Sequence, residues 1–183
     1  MTEYLPPRFP ANPLPVPPYN RFRPAGHVKS AQFIDKSPLG AMRNPGSNTA
    51  AQKAGKRFER KLLKRIADLD VRTLISPWVQ YENGTRRFCQ PDALLWLTPE
   101  DLVIVEAKLT HTADAYWQLR LLYEPVLRAL NPLARIHLLE ITRSFDPAVR
   151  MPEEMVLFFS YEEFIKHLPL EPKKEIYVLQ WKL

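Results

Sequence analysis

Residues 90–110 read QPDALLWLTPEDLVIVEAKLT. Leu102, Val103, Ile104 and Val105 make an aliphatic run suited to a strand buried on both faces, and that run ends on Glu106, Ala107 and Lys108. Thr98 to Asp101 has the composition of a turn, so the strand before it folds Asp92 back toward the same end. Glu106 and Lys108 are two residues apart, which sends both side chains from one face of the strand. With Leu97 set against Leu102 across the turn, Asp92 falls near Ala107, between the two charges. The stretch therefore predicts three charged side chains gathered at one end of a hydrophobic strand pair.

Working upstream, TLISPWVQYE (73–82) and TRRFCQPDALLWL (85–97) flank Asn83-Gly84, the strongest short hairpin signal. Together with LVIVEAKLT they predict a meander of three strands. Before it, Phe58, Leu62, Ile66 and Leu69 recur at helical spacing with Lys and Arg opposite, predicting a helix over 50–68. Glu59 stands at the border of the buried stripe, where its carboxylate either reaches across the sheet or pairs with a helical neighbour such as Lys56. Downstream, residues 112–130 predict a second helix kinked at Pro125, which lacks the backbone donor. RIHLLEIT, EEMVLFFS and EIYVLQW then read as strands, with YEEFIKHL a short helix between the last two.

The length fits one domain of ordinary size. One Cys and four scattered His leave no disulfide framework and no tetrahedral zinc set. No stretch approaches the roughly 20 apolar residues that span a bilayer, so a soluble, cytoplasmic protein without membrane contact is expected. Charge is uneven. Residues 1–66 hold 13 Lys and Arg against 3 Asp and Glu, whereas residues 67–183 hold 13 against 17. A basic segment on a mildly acidic body points to a polyanion, since phosphate contacts release counterions; a solubilising tail is the plain alternative.

Ten prolines fall in the first fifty residues, so residues 1–49 are expected to be an extended or disordered basic arm before a domain over 50–183. Tyr4, Phe9, Tyr19, Phe22 and Phe33 alternate there with Arg8, Arg21, Arg23, Lys29 and Lys36. That mixture suits stacking on bases, packing across the body, or docking on a protein partner.

Pro91-Asp92, thirteen intervening residues and Glu106-Ala107-Lys108, after a helix carrying Glu59, resemble the PD-(D/E)XK nuclease superfamily over residues 50–142. The resemblance implies an α/β fold with a restriction-endonuclease-like core of helix, three-strand meander, helix and strand, on a mixed central sheet. It implies a Mg²⁺- or Mn²⁺-dependent phosphodiester hydrolase, with DNA ahead of RNA as substrate and both endonuclease and exonuclease action open. Asp92 and Glu106 are hard oxygen ligands for such an ion, with the Ala107 carbonyl and Glu59 completing the set. Lys108 orients or activates the attacking water or stabilises phosphate charge. Gln118 matches a Gln that some exonuclease-like branches carry on the second helix, although their Tyr four residues later is Leu122 here, with Tyr123 at five.

Lys56, Arg57 and Arg60 on the first helix, and Arg86 and Arg87 beside the hairpin turn, are expected to hold the nucleic-acid backbone. The competing reading is a salt-bridged cluster in an inactive nucleic-acid-binding or assembly protein of the same fold. Tyr116 and Trp117 are read as core and Cys89 as packed. His111 is read as an exposed loop residue. Ser144, Asp146 and His137 share residue types with a hydrolytic triad without its context.

Overall fold

The computed structural model describes residues 5–13, 17, 22–38, 49–168 and 174–182. Thr49 opens α1 (Ala50–Ala67) through a capping box, its Oγ1 accepting from Gln52 N at 3.2 Å while Gln52 Oε1 accepts from Thr49 N at 2.9 Å. Two amides at the helix start are thereby satisfied. Phe58, Leu62 and Ile66 form its buried stripe. Burial of each contributes about 1.5–3 kcal/mol.

The strands are β1 (Arg8–Phe9), β2 (Ser30–Ile34), β3 (Arg72–Ile75), β4 (Trp78–Glu82), β5 (Arg86–Cys89), β6 (Ala93–Trp96), β7 (Asp101–Thr110), β8 (Arg135–Ser144), β9 (Glu154–Phe158) and β10 (Glu175–Gln180). Seven of them form a mixed sheet in the order β1-β9-β10-β8-β7-β6-β3, and β2-β4-β5 form a second sheet. The fold is α/β. The middle of the large sheet is parallel, β7 with β8 and β8 with β10, while β3, β6 and β7 run antiparallel.

The expected three-strand meander is corrected here. Each of its first two runs is cut in half at a proline, Ser76-Pro77 and Gln90-Pro91, where a backbone donor is missing and the chain crosses between sheets. Ser76 takes a left-handed φ of 47° at the first crossing. The predicted hairpin does form, between β4 and β5, with Gly84 at φ 102°. The meander inside the large sheet is β3-β6-β7. Its register also differs from the expected one, because Trp96 rather than Leu97 faces Leu102. Leu97 N donates instead to Asp101 O at 3.0 Å and belongs to the turn.

Two apolar layers sandwich the large sheet. On one face α1 and α4 (Tyr161–His167) pack Phe58, Leu62 and Phe164 on Val103, Val105 and Leu139. On the other face lie the second sheet and a broken helix, made of α2 (Ala113–Trp117), a π-helical turn (Gln118–Tyr123) and α3 (Glu124–Leu130). The break has a stated cause. Glu124 N bonds back five residues to Leu119 O, and Pro125 has no N–H for the Leu121 carbonyl. Ala25 N fills that place at 2.8 Å. Tyr116 and Trp117 are core, as read from sequence, and so is Cys89, whose thiol pKa burial pushes up to about 12.

The Ala25 contact shows where the proline-rich segment goes. Its described parts are extended, but they are laid into the body, so residues 49 and 50 divide a sequence pattern and not the sheets. β1 extends the large sheet beside β9 and β2 pairs with β4. Arg8 bridges Glu154 and Glu175, Phe9 meets Phe145 at 5.1 Å, and Phe22 is buried. Packing across the body is thus the use made of Arg8, Phe9 and Phe22. Tyr4, Tyr19 and Arg21 lie outside the described residues. No helix among the described residues is long and apolar enough to cross a membrane.

The turn at 98–101 clamps β7 to β8. Asp101 accepts from Arg135 Nε at 2.8 Å, Arg135 Nη2 at 2.6 Å and Thr98 Oγ1 at 2.8 Å, with His137 Nε2 at 3.0 Å. Burial alone would raise the Asp101 pKa, but the bonds from Arg135, His137 and Thr98 outweigh it and hold the carboxyl below the usual range. The folded chain therefore gains stability from this carboxylate above the unfolded pKa and loses it as pH falls toward the folded one. Asp101→Asn is expected to cost about 1.5–3 kcal/mol near pH 7. In urea titrations, the gap to the wild type should close as the pH is lowered below the ordinary carboxylate range.

Candidate functional site

Glu106 and Lys108 share the β7 face that carries Leu102 and Ile104, toward the broken helix. Lys108 Nζ donates to Glu106 Oε1 at 2.6 Å and to Gln118 Oε1 at 2.8 Å. The paired register of β6 and β7 ends at Ala93 and Val105. Just beyond it the Ala107 N–H goes to the Asp92 side chain, Oδ2 accepting at 2.7 Å. The three charges read from the sequence are thus brought together, with Gln118 as a fourth member.

Their electrostatics are unbalanced. Burial pushes the Asp92 pKa well up, and the charges of Glu106 and Glu59 push it further. Glu106 is also raised by burial, which the neighbouring Lys108 ammonium only partly offsets, while Glu140 and Glu59 add to the rise. For Lys108 burial acts downward, but Glu106, Asp92 and Glu140 outweigh it and the pKa rises. The neighbouring carboxylates thus favour the ammonium form of Lys108. Glu106 Oε2 is buried without a hydrogen bond of standard geometry, although the Tyr123 side chain acts on the same carboxylate, and such an oxygen is costly unless a proton or a cation answers it.

The donor set fits a hard divalent cation in this sense. Two carboxylates resist ionisation together, and one of them, Glu106, keeps a buried oxygen without a hydrogen bond of standard geometry. Among the described residues, however, no group of three or more His, Cys, Asp or Glu side chains is gathered as a ready metal cage. Glu59 sits half-buried on α1, on the other side of the sheet, and reaches Asp92 and Glu106 through its charge.

Four further residues were not singled out, or were misread, in the sequence. Glu140 is the β8 partner of Glu106 in the parallel ladder and is fully buried. Its Oε2 faces His111 Nδ1 at 2.8 Å and its Oε1 accepts from Thr112 N at 3.2 Å. His111, expected as an exposed loop residue, is instead 2% exposed, because the two-residue connector from β7 to α2 runs beneath Phe145 and over Glu140. Tyr123 donates to Gln90 O at 3.3 Å. Its pKa is driven far above the ordinary value by burial and then by Glu106 and Asp92. Ser76 N donates to Asp92 O at 2.8 Å, and Ser76 O accepts from Gln90 Nε2 at 2.8 Å. The left-handed Ser76 thus fastens the sheet crossing to the candidate ligand. The signal for Glu140 was available, since it interrupts an apolar strand as Glu106 does.

The π-helical turn gives Tyr123 its place. In a turn closed by bonds five residues apart, residues at that spacing share a face. Tyr123 therefore stands relative to Gln118 where an α-helix would put the fourth residue. Of the expected backbone-holding residues, Lys56, Arg57 and Arg60 are exposed on α1. Arg86 and Arg87 sit in the second sheet opposite Glu82 and Tyr81, and Arg87 Nε donates to Thr85 Oγ1 at 3.2 Å. Ser144 and His137 lie toward opposite ends of β8, so the residue types of a hydrolytic triad do not form one.

No family model, curated protein or solved structure matches the chain.

Proposed function

We propose that the chain is a metal-dependent nuclease of the PD-(D/E)XK kind, hydrolysing phosphodiester bonds with DNA as the preferred substrate. The observation that carries this reading is the buried Glu106 Oε2, without a hydrogen bond of standard geometry, beside Asp92, whose carboxyl is forced up by the same crowding. The order of α1, the β3-β6-β7 meander, the broken second helix and β8 is consistent with a restriction-endonuclease-like core.

Asp92 and Glu106 would hold Mg²⁺ or Mn²⁺, with the Ala107 carbonyl as a further oxygen donor, while Glu59 acts on both carboxylates through its charge. When bound, such an ion neutralises phosphate charge and lowers the pKa of a water that attacks phosphorus. The protein's own part is to fix charge. Lys108 has three N–H donors, two of them spent on Glu106 and Gln118, and the third is available for a phosphate oxygen. A preorganised ammonium costs no rearrangement as negative charge builds on the phosphate. Gln118 fixes the amine's direction, and Tyr123 packs against the carboxylates from the same helix.

A second reading, nucleic-acid binding without cutting, is favoured by one observation. Lys108 already answers Glu106 at 2.6 Å, so one carboxylate is balanced without a metal. The two readings separate in an assay of circular plasmid, linear duplex and single strands with Mg²⁺ or Mn²⁺. Wild type should cut, and Lys108→Ala and Asp92→Ala should each lose about 10²–10³-fold in rate. Equal cutting by all three proteins would remove the assignment, whereas salt-sensitive binding with no cutting in any metal would establish the second reading.

A further inference from the structure

A cleft of about 460 Å³ opens between α1 and the sheet-edge strand β3, lined by Lys56, Glu59, Arg60, Leu63 and Ile75. Ile75 pairs with Ala93, the residue after Asp92. The next residue, Ser76, is bonded to Asp92 O at 2.8 Å. Glu59, in the cleft wall, acts through its charge on both Asp92 and Glu106. The cleft therefore opens beside the backbone at Asp92, on the α1 side of the sheet.

Its lining has two characters. Leu63 and Ile75 are aliphatic, and Ile75 is 38% exposed. Lys56 and Arg60 flank them. The helix that bears three of the wall's charged residues carries seven Lys and Arg against one acid, Glu59. The basic face of this helix draws a polyanion. A duplex stacks its base faces on one another and turns phosphates outward, leaving an aliphatic floor nothing to bury. A single strand offers phosphates and unstacked base faces together.

We propose that this cleft is the path of a single nucleic-acid strand, with base faces on Leu63 and Ile75 and phosphates on Lys56 and Arg60. The inference rests on reading the neighbouring carboxylates as a nuclease site, and it names the form of substrate delivered there.

The test is binding by the full chain in EDTA, which keeps cleavage out of the measurement. Fluorescence anisotropy would compare a labelled thymidine oligomer with a duplex of equal length over a range of salt. The oligomer should bind about tenfold more tightly. Lys56→Ala combined with Arg60→Ala should lower the slope of log K against log salt by about 1.4, about 0.7 for each phosphate contact on a single strand. Ile75→Ser, checked for folding by circular dichroism, should weaken oligomer binding about threefold or more with the slope unchanged.

Equal or tighter duplex binding would overturn the proposal, as would a folded Ile75→Ser variant that binds the oligomer normally. Lys108-dependent cutting alongside such a failure would leave the nuclease reading in place and remove only the cleft. Binding as expected with no cutting in Mg²⁺ or Mn²⁺ would keep the cleft and remove the nuclease.

Discussion

Asp92→Asn should sharply slow metal-dependent cleavage and, in EDTA, raise the melting temperature at neutral and alkaline pH. Both effects have one source. Asp92 is crowded by burial and by the charges of Glu106 and Glu59, so the folded chain binds its proton more tightly than the unfolded chain does. Stability then falls as pH rises from the ordinary carboxylate range through the raised folded pKa. Asparagine keeps an oxygen for the Ala107 N–H and removes the charge. Each kcal/mol of relief appears as about 2–4 °C for a chain of this size. The rate should fall about 10²–10³-fold. Mg²⁺ should raise the melting temperature of the wild type and not that of the variant, by mass action on the folded state. A variant that melts lower, with the wild-type pH slope, would mean that Asp92 serves only to brace β7.

Glu140→Ala should be the most destabilising single change near the site. The side chain is fully buried, and its removal leaves His111 Nδ1 and the Thr112 N–H without the partner each now has. Leaving a buried hydrogen-bonding group unsatisfied costs about 1–3 kcal/mol, and two are left here. Urea unfolding would show this as a lower midpoint at unchanged slope. Glu140→Gln retains an oxygen for Thr112 and should fall between. Thr112 caps α2 through Asp114 N, and α2 leads directly into Gln118. The loosened connector should therefore also displace the partner of Lys108. If Glu140→Ala unfolds at the wild-type midpoint, the His111 pair does not carry the connector.

The features most legible in the sequence were those set by periodicity and by short-range turn chemistry. The stripe of Phe58, Leu62 and Ile66 gave α1, and Asn83-Gly84 gave the β4-β5 hairpin. The gathering of Asp92, Glu106 and Lys108 followed from a two-residue spacing and one turn. What stayed hidden depended on contacts between distant segments. Pro77 and Pro91 were visible, but whether each run bends or changes sheet is decided by the partners of the two halves, and β4 found β2. The one-residue error in register arose because Leu97 N is used within the turn. The burial of His111 required knowing that Glu140, on the next strand, lies beneath it. The relation of Gln118 to Tyr123 was hidden because an α-helical count places Leu122 on that face. Only Pro125 hinted that the count would fail.

The placement of β1 has a consequence for synthesis. Arg8 and Phe9 leave the ribosome long before their partners Val156 and Met155. The arm must wait unpaired while the segment between them emerges, and unpaired strand edges in that interval are open to wrong partners. Proline lacks the donor that such mispairing needs. The residues that make the segment look unlike the rest of the chain thus keep its place at the sheet edge open until β9 is made.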